Sequence, residues 1–348
     1  MSKQKNNKYY EPKPEFVERM QQLLPNENDF QEYMKILKID LPRSIRCNTL
    51  KISPEKLKQR LEKNYNWIIK QPFENFLEIM IVEGKTSNSD NQLQELSGGL
   101  GGTPKLENLS PGELGRSLEH LLGYYYIQEI ASMLPVLALN PKPNETILDL
   151  CSSPGSKTTQ IASKMQNTGT LIANEVSQGR INILSANLSR CGCSNTIITK
   201  KDGMLLCNEL EKQKIFIDKI LVDAPCSGEG TIRSTPATNK MWNPKTITRL
   251  SKIQKNLVAS ALKILKPNGI LIYSTCTHAP EENEAILDYM KKEFDVEVEE
   301  IKLPVKCRKG ITNWQDKKFS QQVKKACRVY PQDNNTEGFF ISKIRKLK

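Results

Sequence analysis

An α/β fold is what this sequence predicts: a doubly wound parallel sheet preceded by a small α+β domain. Three observations lead there. From Thr146 onward, short apolar runs alternate with helical patterns, the βαβ rhythm that builds a parallel sheet with right-handed crossovers. Residues 41–112 instead read as strand, helix, strand, strand. A length of 348 residues suits about two domains of roughly 100–200 residues each. The organisation expected is a helical extension over 1–40, the small domain over 41–112 and the doubly wound domain over 113–348.

Taken in order, the first 13 residues are polar and expected to fray. Amphipathic helices follow near 16–24 and 30–37, and Pro42 ends that pattern. Residues 43–50 make a strand. Ser53-Pro54-Glu55 opens a helix that runs to about Asn64, with Ser53 as its N-cap and proline at the first position, where an N–H would be unpaired anyway. Trp67–Lys70 and 76–82 read as strands. Residues 84–112 are rich in Gly, Ser and Asn, including Gly98-Gly99-Leu100-Gly101-Gly102, and read as a loop. Tyr124-Tyr125-Tyr126 precedes a helix reaching about Leu139 and reads as packing. Strands at 146–150, 170–174, 195–199, 219–222 and 269–273 then alternate with helices at 155–165, 177–190 and about 245–265; 296–301 and 339–344 supply the last strands.

Composition narrows the function classes. A hydrophobic content of 38% supports a core and excludes disorder as the main state. No apolar run reaches the roughly 18 residues of a membrane span, and the polar start Met1-Ser2-Lys3-Gln4-Lys5 has no secretory apolar region. A cytoplasmic, monomeric protein with no membrane partner is expected. Nine cysteines, an odd number, argue against a disulfide framework and for a reducing compartment. No C-x-x-C occurs, and His120 and His278 are the only imidazoles, so no metal site is expected. The same shortage disfavours a Ser-His-Asp triad, and a nucleophile here is more readily a cysteine than a serine.

The net charge of +12 is not spread evenly. Residues 1–145 carry 19 basic and 19 acidic side chains, while 146–348 carry 32 and 20. Such an excess is either a solubility feature or a polyanion footprint. Within that half, 302–348 is strongly basic, and Lys306–Lys309 is the expected contact with phosphates. The acidic stretch 281–300 reads as a solvated helix and strand.

Four motifs carry chemistry. Asp149-Leu150-Cys151-Ser152-Ser153-Pro154-Gly155-Ser156-Lys157 sits where the first strand of the larger sheet turns into a helix. Ligands bind outside the carboxyl ends of such strands, and small residues let backbone amides approach. The motif lacks both the dinucleotide and the P-loop glycine patterns. Glu175, at the end of the second strand, can accept both hydroxyls of a ribose, and Asp202, after the third, is placed to meet an adenine amino group. In that order they describe a nucleoside ligand without a phosphate clamp, which fits S-adenosyl-L-methionine. Asp223-Ala224-Pro225-Cys226 and Ser274-Thr275-Cys276-Thr277 end the fourth and fifth strands. Both place a cysteine at the carboxyl edge beside the cofactor turn, whereas a core cysteine usually lies within a strand.

In these motifs the sequence resembles the RNA cytosine-5 methyltransferases of the Sun/Fmu and NOL type. That family carries D-x-C-A-A-P-G-G-K-T, D-A-P-C-S-G and S-T-C-S in this order. Here Ser152, Ser153 and Ser156 replace Ala, Ala and Gly, and Thr277 replaces Ser, all small changes. The likeness extends to 43–50, to Gly123…Gln128-Glu129 and to Arg328-Val329-Tyr330-Pro331…Gly338-Phe339-Phe340. It implies a Rossmann-like methyltransferase sheet behind an RRM-like domain, S-adenosyl-L-methionine as cofactor, and RNA as partner, with tRNA favoured and rRNA open. The cofactor set implied is Cys151, Ser152, Ser153, Pro154, Gly155, Ser156, Lys157, Glu175, Arg180, Asp202 and Asp223.

The chemistry explains the thiols. Carbon 5 of cytosine is a poor nucleophile until a thiolate adds at C6 and turns C5 into an enamine carbon. By the resemblance, Cys276 is that nucleophile, Cys226 assists product release, Asp223 holds the N3/N4 edge, and Lys157 lies by the base, where a cation favours a thiolate. The target must be unpaired or flipped out. DNA enzymes of this class attack with the Pro-Cys thiol instead, so the second thiol favours RNA. A non-catalytic RNA-binding factor on the same fold is the competing reading, and it has no use for two thiols at a strand edge.

Overall fold

Two sheets carry the chain. The computed structural model describes residues 10–86 and 106–348; the glycine run 98–102 and the first nine residues lie outside the described residues. The small sheet contains β1 (Arg43–Cys47), β2 (Trp67–Lys70), β3 (Ile79–Thr86), β4 (Leu106–Glu107) and β5 (Tyr125–Ile127), in the order β2-β3-β1-β5 with β4 against β3. Between β1 and β2 runs the helix Pro54–Tyr65. It starts as the sequence dictates, with the Ser53 side chain accepting from the Lys56 N–H and Pro54 in the first turn, and it ends on Asn66 in the left-handed region. Leu57 and Leu61 on its inner face pack with Ile45, Trp67, Val82 and Tyr125. β3 begins three residues later than the expected 76, because Phe73 to Ile79 form turns that pack the half-buried phenylalanines against Ile79 and Ile130. β5 joins this sheet from beyond residue 112, pairing Ile127 with Ile45. The tyrosine run therefore packs: Tyr125 is fully buried, and its hydroxyl donates to the Leu114 carbonyl at 2.5 Å.

The larger sheet is built on β6 (Thr146–Asp149), β7 (Thr170–Asn174), β8 (Thr196–Thr199), β9 (Ile217–Asp223) and β10 (Leu265–Thr275). These are parallel in the order β10-β9-β6-β7-β8. Antiparallel strands extend the β10 edge. After β11 (Val296–Glu299), β12 (Arg308–Lys309) and the hairpin of β13 (Asn313–Trp314) and β14 (Lys317–Lys318), the chain forms β15 (Cys327–Val329) and β16 (Phe339–Lys346), with β16 between β10 and β15. The order reverses between β6 and β9, and such a switch point opens a crevice at the carboxyl ends of the strands. Helices Ile130–Leu139 and Ser156–Lys164 pack on one face, while Gly203–Lys212, Pro244–Ile264 and Glu284–Glu293 pack on the other.

Three expectations change. The helix Gly203–Lys212 is one that the sequence pattern does not announce; Asp202 is its N-cap, accepting from the Met204 and Leu205 N–H groups. The 281–300 stretch does form a helix and a strand but is not simply solvated, since Glu282, Asn283 and Glu284 are wholly buried. Glu284 makes a bidentate pair with the buried Arg328, at 2.6 Å for both bonds. Cysteine bonding is not absent either: Cys307 and Cys327 form a disulfide, and the other seven cysteines are free.

Polar contacts fix the small sheet to the larger domain. Arg46 of β1 is 2% exposed and its guanidinium donates to the Ser156 carbonyl at 2.7 Å, to Thr159 Oγ1 at 2.8 Å and to Gln128. Asn48 donates to the carbonyls of Gly123 and Cys191 at 2.8 and 2.7 Å. Ser156 lies in the first turn of the helix after β6, so the small domain grips the motif that follows the first strand. Arg46→Met leaves several buried acceptors unpaired, and charged hydrogen bonds are worth about 1.5–3 kcal/mol each. The expected loss is at least about 3 kcal/mol in urea unfolding; a loss below about 1 kcal/mol means that the contact is dispensable.

Candidate active site

The turn after β6 is shaped by its own side chains. Ser152 Oγ donates to the Asp149 carbonyl at 2.7 Å, and Thr158 Oγ1 donates to Asp149 Oδ2 at 2.7 Å. Burial pushes the Asp149 carboxyl up to about 7. Gly155 takes φ +102, and a Cβ there would meet Leu184 at 3.0 Å, so the turn needs glycine. Glu175, after β7, is 3% exposed; its Oε1 accepts from the Ser177 N–H at 2.9 Å, and its Oε2 lies 3.3 Å from the Arg180 guanidinium. Arg180 donates to the Ser153 carbonyl at 2.7 Å and Ser153 Oγ donates back to the Arg180 carbonyl at 3.0 Å. Glu175 and Arg180 are thereby locked to the turn.

A cleft of ≈ 600 Å³ opens at the switch point. Cys151, Ser152, Ser153, Pro154, Ser156, Lys157 and Asp223 line it, while Gly155 supplies the bend behind them. Glu175, Arg180 and Asp202 do not line it; they stand along the β7 and β8 edge next to the turn. Lys157 Nζ lies 2.8 Å from Asp223 Oδ2, donates to Ser132 Oγ at 2.9 Å, and sits 5.2 Å from the centroid of the Phe339 ring. Asp223 Oδ1 accepts from Ser274 Oγ at 2.7 Å. Past Asp223 the loops after β9 and β10 bring Cys226 Sγ to 3.1 Å from Cys276 Sγ. The bond with Cys276, then burial, push the Cys226 thiol well above its ordinary range. Burial also raises Cys151.

Glu129 and Glu337 lie within two of the family-like segments, 123–129 and 328–340, and neither carries a role in the motif chemistry. They line the same cleft. Glu129 accepts from the Ser132 N–H at 3.2 Å and the Glu337 N–H at 3.1 Å. Burial, then the neighbouring Glu337, push Glu129 up to about 7. At the expected phosphate contact, Lys306–Lys309, Lys306 pairs with Asp333 at 2.7 Å, and Arg308 pairs with Asp333 and with Asp29 of the N-terminal helix Glu27–Ile36; Arg308 thereby ties the C-terminal segment to that helix.

The residues present fit a nucleoside sulfonium better than a phosphate. Lys157 is neutralised by Asp223 and Arg180 by Glu175, which leaves the turn no spare cation for a phosphate. Parallel sheet, glycine turn, acid after β7 and paired thiols define an S-adenosyl-L-methionine-dependent methyltransferase. The family model for 16S rRNA methyltransferase RsmB/F matches residues 136–345, and the chain belongs to that family. It is 37% identical to the tRNA (cytosine(49)-C(5))-methyltransferase of Pyrococcus abyssi over 95% of both chains. It is also 37% identical to the ribosomal RNA small subunit methyltransferase F of Pectobacterium carotovorum, over 95% of this chain but 62% of that protein's length. Among solved structures, a methyltransferase homolog from Pyrococcus horikoshii superposes with a TM-score of 0.77 at 34% identity, covering 95% and 94% of the two chains. NSun6 from the same organism superposes with a TM-score of 0.75 at 26% identity over 97% and 98%. The protein is thus an RNA cytosine-5 methyltransferase of this family, as the motifs implied.

Because the first cause of the raised Cys226 thiol is its contact with Cys276, Cys276→Ala should lower it. Alkylation of Cys226 by iodoacetamide at pH 8, followed by peptide mass spectrometry, should then speed up about tenfold for each pKa unit recovered. An unchanged rate means that the sulfur contact does not govern Cys226.

Proposed function

We propose that the protein methylates carbon 5 of a cytosine in tRNA through a covalent bond between Cys276 Sγ and C6, which Cys226 helps to resolve. The observation that carries this reading is the approach of the two sulfurs to 3.1 Å at the ends of adjacent strands, next to the Lys157–Asp223 pair at 2.8 Å. Similarity to the archaeal tRNA enzyme over 95% of both chains supports tRNA over rRNA as substrate.

The cytosine enters the cleft unstacked, with its N3/N4 edge against Asp223, held in place by Ser274 and Lys157. Cys276 Sγ adds to C6, and electron density moves to C5. Bound S-adenosyl-L-methionine supplies the methyl group; the turn from Cys151 to Ser156 and Lys157 would hold its methionine end, Glu175 and Arg180 its ribose, and Asp202 its adenine. Solvent water then takes the C5 proton, the C–H electron pair restores the C5–C6 double bond, and the C6–S bond breaks with its electrons returning to the Cys276 sulfur as thiolate. Release needs Cys226 beside the departing sulfur.

RNA itself is expected along the helix Pro244–Ile264. Between Gly230 and Pro280 the chain has eight basic residues and no acidic one. Lys240, Lys245, Arg249 and Lys252 are exposed, and the segment leads away from Ser234 and Thr235 in the cleft wall.

The two cysteines separate on a denaturing gel. Cys226→Ala with RNA and cofactor should leave a slowly migrating protein–RNA adduct, and Cys276→Ala none; the reverse pattern would overturn the assignment. For the surface, Lys245→Glu with Arg249→Glu should weaken RNA binding and flatten the slope of log affinity against log salt by about one for each phosphate that is no longer neutralised. Cofactor affinity by calorimetry should not change. A slope equal to that of the wild type would place the RNA elsewhere.

A further inference from the structure

The loops that carry the two thiols are cross-linked by buried carboxylates. Glu229 belongs to the loop after β9, three residues past Cys226, yet its Oε2 accepts from Thr277 Oγ1 at 3.0 Å and from the His278 N–H at 3.2 Å, both in the Cys276 loop. Glu282 belongs to the loop after β10, yet it accepts from the Ser227 N–H at 3.1 Å, next to Cys226. Both side chains are 1% exposed or less. Their outer contacts anchor them to the frame. Trp242 Nε1 donates to Glu229 Oε1 at 2.8 Å. Gln254 Nε2 donates to Glu282 Oε2 and to the Pro225 carbonyl, each at 2.8 Å.

We propose that Glu229 and Glu282 are reciprocal positioning residues: the carboxylate on each cysteine's loop sets the thiol of the other. A buried acid is costly unless its lone pairs are filled, and these two fill theirs with the backbone and side-chain donors that flank the thiols. Direct contacts between the loops cannot do this alone. The Ser227–Thr277 hydroxyl bond at 2.7 Å and the bond from the Gly230 N–H to the Cys276 carbonyl at 2.9 Å tie the loops to each other, but not to the rest of the fold. The carboxylates add that frame, through the helix Pro244–Ile264 for Glu282 and through Trp242 for Glu229.

The inference rests on the two-thiol reading above, and its signature is crossed. Glu282→Gln keeps one acceptor where two donors converge, so it should loosen Cys226 and leave an adduct on the denaturing gel, as Cys226→Ala does. Glu229→Gln should loosen Cys276 and leave none, as Cys276→Ala does. A second readout needs no RNA: alkylation of each thiol by iodoacetamide, peptide by peptide. Losing one charged hydrogen bond corresponds to about a tenfold change. Glu282→Gln should speed Cys226 about tenfold and leave Cys276 within about twofold; Glu229→Gln should do the reverse. If Glu229→Gln does not fold, Thr277→Val removes one of its hydrogen bonds from the other end together with the Ser227–Thr277 bond, and Ser227→Ala, which removes only the latter, is the control. Crossed alkylation rates without adducts in the alanine variants would sink the covalent mechanism and keep the positioning roles. Adducts in the alanine controls, with both thiols altered alike by each glutamine, would overturn the positioning roles and keep the mechanism.

Discussion

The ion pair between Lys157 and Asp223, 2.8 Å long, is the joint on which the rest of the site depends. Lys157 comes from the helix after β6 and Asp223 from the end of β9, the two strands that flank the switch point. Ser132 reaches Lys157 from a third element, Phe339 covers it from β16, and Ser274 fixes Asp223 from β10. Five elements thus meet at one half-buried pair. A pair taken out of water is weak evidence for stability, because desolvation offsets most of the attraction. Its value here is positional: it closes the cleft floor, keeps the lysine from acting as a free phosphate ligand, and leaves an oriented carboxylate facing the space where a base can lie.

The small domain acts on the same joint from the other side. Arg46 binds the carbonyl of Ser156, the residue before Lys157, so the small sheet is mechanically coupled to the turn after β6. Gln128 continues the chain of contacts, accepting from Arg46 and donating to Ser132 and Gln160. The next residue, Glu129, caps the helix Ile130–Leu139 and reaches Glu337. One continuous set of hydrogen bonds therefore runs from β1 of the small sheet to the loop before β16, and Gln128, Glu129, Ser132 and Glu337 along it line the cleft.

Much of this was legible in the sequence because it is local. Ser53-Pro54 announces a helix start whatever surrounds it, and the alternation after Thr146 fixes the parallel strands. Gly155 and the cysteines after β9 and β10 show through their positions at strand ends. What could not be read depends on contacts between distant segments. Asp202 reads in sequence as a ligand acid, and only the fold shows that its Oδ1 also caps the helix Gly203–Lys212. The acids at 281, 282 and 284 resemble a solvated surface in sequence, yet they are consumed by Arg19, Ser227 and Arg328. The basic tail looked like a phosphate site, but Asp29, nearly 280 positions away, claims Arg308. Between Gly230 and Pro280 the sequence has no acid, yet Arg233 is buried and Lys266 finds Asp218 at 2.6 Å, so local charge alone does not say which cations stay free.

The two sulfurs pose a proton problem that the surroundings solve. Thiols 3.1 Å apart cannot both ionise at modest cost, since the second negative charge would form against the first in a poorly solvated site. One proton must stay, and its location decides which sulfur can attack. In the proposed reaction the retained proton sits on Cys226, whose thiol is raised by the contact with Cys276 and then by burial, and the attack is assigned to the sulfur at the end of the neighbouring strand. On that proposal the crowding at 3.1 Å also divides the labour of the two thiols, because a single cysteine at either position would lack the partner that holds the proton.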